Sequence, residues 1–359
     1  MKVLVFGNGC GFGGAQTAFR RFVDFCASEG HAVGVIGLVR KDDELPAQKQ
    51  AAFALRLSND SSRLIKLGQA LRASARARRF APDLFVTVGL AKSADLISRC
   101  LPEQTYRVAQ DFIFGRPVTD ALLTASMRCF DALAVQAPSM IGALQKQGFK
   151  TRPLSWLPCF PDPPQSGFSR TERNGRGEVH LSYFGRLAAN KGIDLLLQAL
   201  ATARLNVPVR LDVWGGGSEL ETLKQLAATL PCRDTVKFRG RYPEGADYAR
   251  LLCGYDGLVL PSTGTEGLPL ILLEAMAYGV PFLTTRVGAI PDCVNEDAVL
   301  VEPNLDALRT GLEQFVARAS TNQFSTTRLQ NHYAAHFSHT VMANRWREMM
   351  ANPKAFFTQ

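Results

Sequence analysis

Short apolar runs and segments of helical period alternate along this chain, in two series separated by a proline-rich break. The first opens at 2–6, which reads as a buried strand, and passes through the glycine run Gly7 to Gly14. Ala15, Phe19, Phe22, Val23 and Cys26 then recur at steps that set them on one helical face. Gly30 closes that helix and 31–39 resumes as a strand, so the opening is a β-α-β unit. A basic helix-like stretch at 61–80, strands at 84–88 and 107–109, a helix near 119–130 and a strand at 132–136 continue the alternation. Strands that alternate with helices pair in parallel, and a parallel sheet is covered on both faces.

Residues 156–164, Trp-Leu-Pro-Cys-Phe-Pro-Asp-Pro-Pro, read as unable to hold regular structure, and the polar stretch after them has no apolar period. A second series follows: strand 179–184, helix 194–203, strand 209–214, helix 218–230, strands 235–239 and 257–260, helix 270–278 and strand 281–285. The chain has 359 residues, which at roughly 100–200 residues per domain suits two domains. The expected organisation is a doubly wound Rossmann-like domain at 1–162, a linker at 163–178 and a second such domain at 179–337, the two facing each other across a cleft. Met342, Trp346, Met349 and Met350 share one face of a terminal helix, 338–359, that is expected to return to the first domain.

Composition removes several function classes. With 46% hydrophobic and 20% charged residues the chain is an ordinary globular protein rather than a disordered or fibrous one. The longest apolar passage, 267–283, carries Glu274 and two prolines and is no bilayer span. The start of the chain turns to glycine too early for a signal peptide, so a cytoplasmic location is expected. The 8 cysteines are scattered without a Cys-x-x-Cys pair, which argues for reduced thiols over zinc or redox chemistry. The net charge of +9 falls entirely within 1–160, where 21 Lys and Arg face 12 Asp and Glu. That asymmetry suggests an anionic partner for the first half.

Gly9-Cys-Gly-Phe-Gly-Gly14 matches the dinucleotide fingerprint between a first strand and a helix. The acidic residue that should end the second strand is replaced by Val39-Arg40-Lys41, so a dehydrogenase survives only with Arg40 on a 2′-phosphate. Gly185-Arg186-Leu-Ala-Ala-Asn-Lys191-Gly192 is the sharper signal, since it puts two cations at the carboxyl edge of a sheet, where a diphosphate fits. Standing alone, it would equally describe a solvated helix start. Pro261-Ser262-Thr-Gly-Thr-Glu266-Gly267-Leu268-Pro269-Leu270, continuing through Glu274 to Gly279-Val-Pro281, sets one carboxylate in a loop and another in the next helix. Two carboxylates can accept from sugar hydroxyls while helix amides meet phosphate oxygens. The plainer alternative makes Glu274 a dipole-favouring charge and Glu266 a loop residue.

Taken together and in this order, the Gly-Gly-Ala-Gln run at 13–16, Gly185-Arg186…Lys191-Gly192, Val213-Trp-Gly-Gly-Gly217, Phe238-Arg-Gly240 and the Glu-x7-Glu segment resemble the retaining glycosyltransferases of the GT-B fold, family four. The resemblance implies that Arg186 and Lys191 hold the donor diphosphate, Glu274 the ribose and Glu266 the transferred sugar. It places Gly13, Gly14, Gly267, Leu268 and Leu270 beside the donor, and the loop at Arg241 against the base. It further implies transfer of a sugar from a nucleotide sugar, a co-substrate rather than a cofactor, to a glycan or lipid-linked acceptor of the cell envelope, with retention and without a metal. Many members carry a first-domain histidine where this chain has Ala109-Gln110-Asp111, making Asp111 a candidate in its place. The alternatives are an epimerase of the same fold and a non-catalytic nucleotide-sugar-binding subunit. Nucleic acid is not expected, because the basic residues bring no stacking aromatics with them. An anionic membrane surface is a candidate partner, with the basic stretch around Leu64, Ile65, Leu67 and Leu71 as one contributor, although its cations do not gather on one side of a helical wheel.

Overall fold

The computed structural model describes residues 1–8, 14–39, 45, 51–58, 63–171 and 177–358, which form two compact units: Met1–Phe160 with Met342–Gln359, and Pro161–Val341. The glycine fingerprint up to Gly13, together with Arg40 and Asp42, lies outside the described residues.

Unit 1 runs β1 (Lys2–Asn8), α1 (Gly14–Ser28), β2 (Ala32–Val39), β3 (Phe53–Ser58), α2 (Arg63–Phe80), β4 (Leu84–Val88), α3 (Lys92–Cys100), β5 (Tyr106–Asp111), α4 (Ala121–Ser126), β6 (Ala132–Val135), α5 (Pro138–Lys146) and β7 (Leu154–Trp156). Its seven strands are parallel in the order β3-β2-β1-β4-β5-β6-β7. Val3, Leu4, Val5 and Phe6 are wholly buried at the centre of the sheet, as a strand covered on both faces requires. The chain leaves α1 as its glycine pattern dictates: Gly30 adopts φ +75° and His31 N–H donates to the Cys26 carbonyl.

In this unit β3, α3, α5 and β7 have no counterpart in the sequence reading, and the same holds for helix Gly245–Cys253, strand Ala298–Val301 and helices Leu305–Ser320 and Thr326–His336 of the second unit. Trp156 corrects it, because this residue ends β7 and pairs with Val135 instead of beginning an irregular passage. An edge strand this short leaves no period to read.

Unit 2 runs β8 (Val179–Phe184), α6 (Ile193–Thr202), β9 (Val209–Trp214), α7 (Leu220–Thr229), β10 (Val236–Gly240), α8 (Gly245–Cys253), β11 (Gly257–Leu260), α9 (Leu270–Ala277), β12 (Phe282–Thr285), β13 (Ala298–Val301), α10 (Leu305–Ser320) and α11 (Thr326–His336). The parallel sheet has the order β10-β9-β8-β11-β12-β13. The passage expected as a linker belongs to this unit. Gln165 N–H donates to the Tyr278 hydroxyl at 3.0 Å, and Arg170 N–H to the Tyr278 carbonyl at 2.8 Å.

The chain ends with α12 (His339–Ala351) and α13 (Pro353–Thr358). Met342, Trp346, Met349 and Met350 are buried along one side of α12. The Trp346 ring lies 4.3 Å from that of Phe22, and its indole N–H donates to the Pro158 carbonyl at 2.8 Å. Arg345 donates to the Trp156 carbonyl at 2.7 Å, and Arg347 forks onto Glu29 at 2.7 and 2.8 Å. Trp346→Ala would remove both the packing and the buried hydrogen bond. It should cost unit 1 about 3–5 kcal/mol in a denaturant titration, whereas an unchanged midpoint would show that α12 is dispensable to it.

Candidate functional site

Strand order fixes where unit 2 can bind a ligand. Connections from β8 lead outward to β9 and β10 on one side, and from β11 to β12 and β13 on the other, so the order reverses between β8 and β11. In an open parallel sheet the loops diverge there and leave a crevice at the carboxyl ends of the strands. The two loops leaving these strands are 185–192 and 261–269, the ones that carry both signature motifs.

The first loop is held by backbone contacts that only glycine permits. A Cβ on Gly215, which sits at φ +123°, would lie 1.8 Å from the Gly185 carbonyl oxygen. The loops after β8, β9 and β10 can therefore abut, with Leu187 N–H donating to the Gly216 carbonyl at 2.9 Å and Gly215 N–H to the Gly240 carbonyl at 2.7 Å. A short 3-10 turn, Ala189–Lys191, delivers Lys191 to the start of α6. Gly192 then takes φ +63°, where a Cβ would strike the Pro261 carbonyl oxygen at 2.1 Å. The Asn190 carbonyl accepts from both Thr263 and Gly264 N–H at 3.0 Å, which ties the first loop to the second.

That tie brings Lys191 and Glu266 together. The ammonium is bonded to Glu266 Oε1, and the same oxygen accepts from the Ser262 hydroxyl at 2.6 Å. The lysine and glutamate side chains are only 17% and 13% exposed, so water screens the pair weakly. Ser262 is fully buried, and its carbonyl accepts from the Thr285 hydroxyl at the end of β12. The Glu266 backbone is fixed as well, its carbonyl accepting from Ala289 N–H at 3.0 Å.

The second carboxylate sits on α9, where it is the only ionisable side chain of the helix. Glu274 Oε2 accepts from the Tyr248 hydroxyl at 2.8 Å. Burial first, and then the Glu274 carboxylate, push the Tyr248 hydroxyl's pKa well up, so it remains a donor throughout the neutral range. Tyr248 stands edge-on to Phe184 at 5.6 Å and beside Tyr242 at 5.6 Å, a wall of aromatic rings past the ends of β8 and β10. Tyr248 thus positions Glu274. If Glu274 holds the ribose, as the family resemblance implies, Tyr248→Phe should weaken nucleotide affinity about tenfold, the lower end of what a hydrogen bond to a charged group is worth, and leave turnover at saturating donor unchanged. Calorimetry with a nucleoside diphosphate reads the first and steady-state rates the second; reduced turnover with unchanged affinity would contradict this role.

Arg186 lies on the same loop as Lys191 with its side chain exposed, while its carbonyl accepts from the Tyr183 hydroxyl at 2.8 Å. Leu268 is buried, and Gly267 and Leu270 are half-buried at the entry to α9. Leu272 N–H donates to the Pro269 carbonyl at 3.1 Å, while the amides of Leu270 and Ile271 have no acceptor within the helix. Pro269 is the N-cap residue of α9. Arg241 follows β10 and is exposed, with its guanidinium 3.0 Å from Glu244. The structure groups Lys191 with Glu266 by direct contact, and Glu274 and Arg186 by the elements that bear them.

Two candidates among the described residues belong to unit 1, Gly13 lying outside them. Gly14 is the first residue of α1. Asp111 ends β5, is 2% exposed, and takes Arg116 Nε at 2.6 Å and Nη2 at 3.1 Å while accepting from Ile113 N–H. A buried carboxylate forked onto an arginine builds the 111–116 turn. Ser262, Tyr248 and Asn190 were not assigned roles from the sequence. Ser262 and Asn190 lie inside motifs and Tyr248 does not, and nothing in the spacing shows which backbone or side chain a hydroxyl or carbonyl will reach.

Residues 178–318 match the family model described as Glycosyl transferases group 1. The GDP-mannose-dependent alpha-(1-6)-phosphatidylinositol monomannoside mannosyltransferase of Mycolicibacterium smegmatis is 33% identical over 170 residues, which is 44% of this chain and 44% of that protein. The chain thus aligns with less than half the length of this relative. Among solved structures, sucrose-phosphate synthase from Thermosynechococcus elongatus superposes with a TM-score of 0.79 at 18% identity, covering 99% of each chain. The Anabaena protein HepE in complex with UDP does so with a TM-score of 0.75 at 16% identity, covering 98% of this chain and 100% of that one. By sequence, then, 178–318 is similar to the group 1 glycosyltransferases, and by fold the whole chain has the GT-B architecture of two Rossmann-like domains.

Proposed function

We propose that this protein is a metal-independent, retaining glycosyltransferase that moves a sugar from a nucleotide-sugar donor to a glycan or lipid-linked acceptor. The observation that carries the reading is the meeting of Lys191 and Glu266 where the strand order reverses, with Glu274 on the helix that leaves the same crevice. An ammonium there can hold the donor diphosphate. Glu266 can take the sugar hydroxyls, and Glu274, fixed by Tyr248, the vicinal hydroxyls of the ribose. The match of 178–318 to group 1 glycosyltransferases supports this assignment.

In the reaction, the bond from the anomeric carbon to the β-phosphate oxygen breaks, and the acceptor oxygen forms its bond to that carbon on the same face. The acceptor proton passes to the departing phosphate oxygen, so no separate base is needed. Lys191, Arg186 and the first-turn amides of α9 offset the charge that grows on the diphosphate. Asp111 acts through its ion pair with Arg116, shaping the turn after β5. The run around Gly13 and Gly14 is assigned to backbone approach near the donor, and Arg241 to the rim of the base pocket.

The mycobacterial relative is named for a phosphatidylinositol-linked acceptor, which supports an envelope glycan or glycolipid as acceptor here, in cytoplasmic work on cell-envelope polysaccharide or lipopolysaccharide. The test is a thermal-shift screen of UDP, GDP, ADP and TDP sugars, followed by donor turnover with and without candidate acceptors. A donor at ~100 times its dissociation constant should stabilise the protein by about 2.7 kcal/mol, and nucleotide release should depend on acceptor. Acceptor-independent isomerisation of the donor would identify an epimerase, and binding without any release a non-catalytic subunit.

A further inference from the structure

Three of the five histidines in the chain stand at 332, 336 and 339, and the transfer chemistry uses none of them. His332 and His336 are one turn apart on α11, where positions i and i+4 share a face. Their ring centroids are 4.9 Å apart and their planes are tilted by 54°, so the imidazoles meet at an angle instead of stacking. Phe337 stands 5.5 Å from the His332 ring and 6.1 Å from the His336 ring, and its contact restrains both.

One atom of this cluster lacks its complement. His332 Nε2 is buried and has no hydrogen-bond partner among the described residues, although packing against Phe337 alone asks nothing of a nitrogen. Burial, and after it the charge that His336 can carry, lower the His332 pKa, so this ring keeps a lone pair at neutral pH. His336 is exposed and offers the second imidazole to solvent. One turn before His332, the Arg328 guanidinium is forked onto Asp297 at 2.7 and 2.8 Å, which takes up the one formal charge of α11 that would oppose a cation.

The spacing of the rings is the one a shared metal requires. A zinc–nitrogen bond of about 2.0–2.1 Å, with the ring centre ~1.1 Å behind the nitrogen, puts each centroid about 3.2 Å from the ion. Centroids 4.9 Å apart then subtend about 100° at the metal, near the tetrahedral angle that zinc adopts. We propose that His332 and His336 bind a divalent late transition metal, zinc foremost, as a site apart from the sugar-transfer machinery. Imidazole ligands suit zinc, copper and nickel and do not suit magnesium or calcium. No third His, Cys, Asp or Glu joins them among the described residues, so water completes the coordination and the ion exchanges readily. A bound ion staples the last turn of α11, shortly before unit 2 ends at Val341. Nothing in the site depends on the donor reading, so either can fail without the other.

Calorimetric titration of zinc into the reduced, untagged full chain tests it. His332→Gln and His336→Gln should each weaken zinc binding more than tenfold, since loss of even an outer-shell partner of a metal ligand costs about 10–100-fold. His339→Gln should keep the parent's affinity. Zinc should raise the thermal midpoint of the parent and leave that of both variants unchanged, and magnesium at the same concentration should move neither. Because His336 is exposed, its variant should fold like the parent and decides the matter even where His332→Gln does not fold. No zinc binding by the parent, binding that His336→Gln retains at full affinity, or an equal response to magnesium would each overturn the proposal.

Discussion

Lys191→Ala should lower turnover by about 100–1000-fold, the scale set by removing one preorganised donor from a developing oxyanion. The ammonium is held in advance by Glu266, and the backbone that carries it by the 3-10 turn Ala189–Lys191 and by the Asn190 carbonyl, which accepts from Thr263 and Gly264 of the facing loop. A cation fixed in this way needs little reorganisation as charge develops on the leaving diphosphate. The variant also strips Glu266 of its ion-pair partner, so some destabilisation is expected, limited by the hydroxyl of Ser262 that stays on the carboxylate. The control is Arg186→Ala, whose exposed side chain should cost activity with no loss of stability. If both cations grip one diphosphate, the double variant should lose less than the summed effects. Near-normal turnover in both single variants would remove the diphosphate from this loop.

Glu266→Gln and Glu274→Gln should fail in different ways. In the first, the amide keeps an oxygen for the Ser262 hydroxyl, but the sugar loses a charged acceptor, and kcat/KM should fall about 10–100-fold. Affinity for the free nucleoside diphosphate should hold or rise, because Lys191 is relieved of its anionic neighbour. In the second, the proposed ribose contact weakens, and diphosphate affinity should drop about tenfold. Titrating both variants with the same free diphosphate decides the matter: equal weakening would show that the two carboxylates do not divide donor recognition.

Much of unit 2 was legible because its strands are short runs rich in apolar and aromatic residues and its turns are marked by glycine. Val209–Trp214 and Gly257–Leu260 fall where the sequence puts them. Helix α8 was not read from the sequence: its nine residues begin at a glycine soon after Pro243 and hold its apolar face, Tyr248, Ala249 and Leu252, within little more than one turn. Tyr248 went unassigned with it, since a residue on an unrecognised helix has no face to assign. The motifs located Lys191, Glu266 and Glu274 but not their partners, because a hydrogen bond such as Ser262 to Glu266 depends on loop conformation rather than on periodicity.

The abutting loops after β8, β9 and β10 also bear on how a protein of this kind can change over generations. With the Gly185 carbonyl oxygen 1.8 Å from where a Gly215 Cβ would stand and the Leu187 carbonyl oxygen 2.1 Å from that of Gly217, no side chain can be added at these two positions without parting the loops. Variation in ligand preference must therefore accumulate around the rim, at exposed positions such as Arg241 and Glu244, where a substitution alters what is recognised and leaves the floor intact. A saturation library over 185–192, 215–217 and 241–244 should accordingly recover active variants almost solely from the last of these segments.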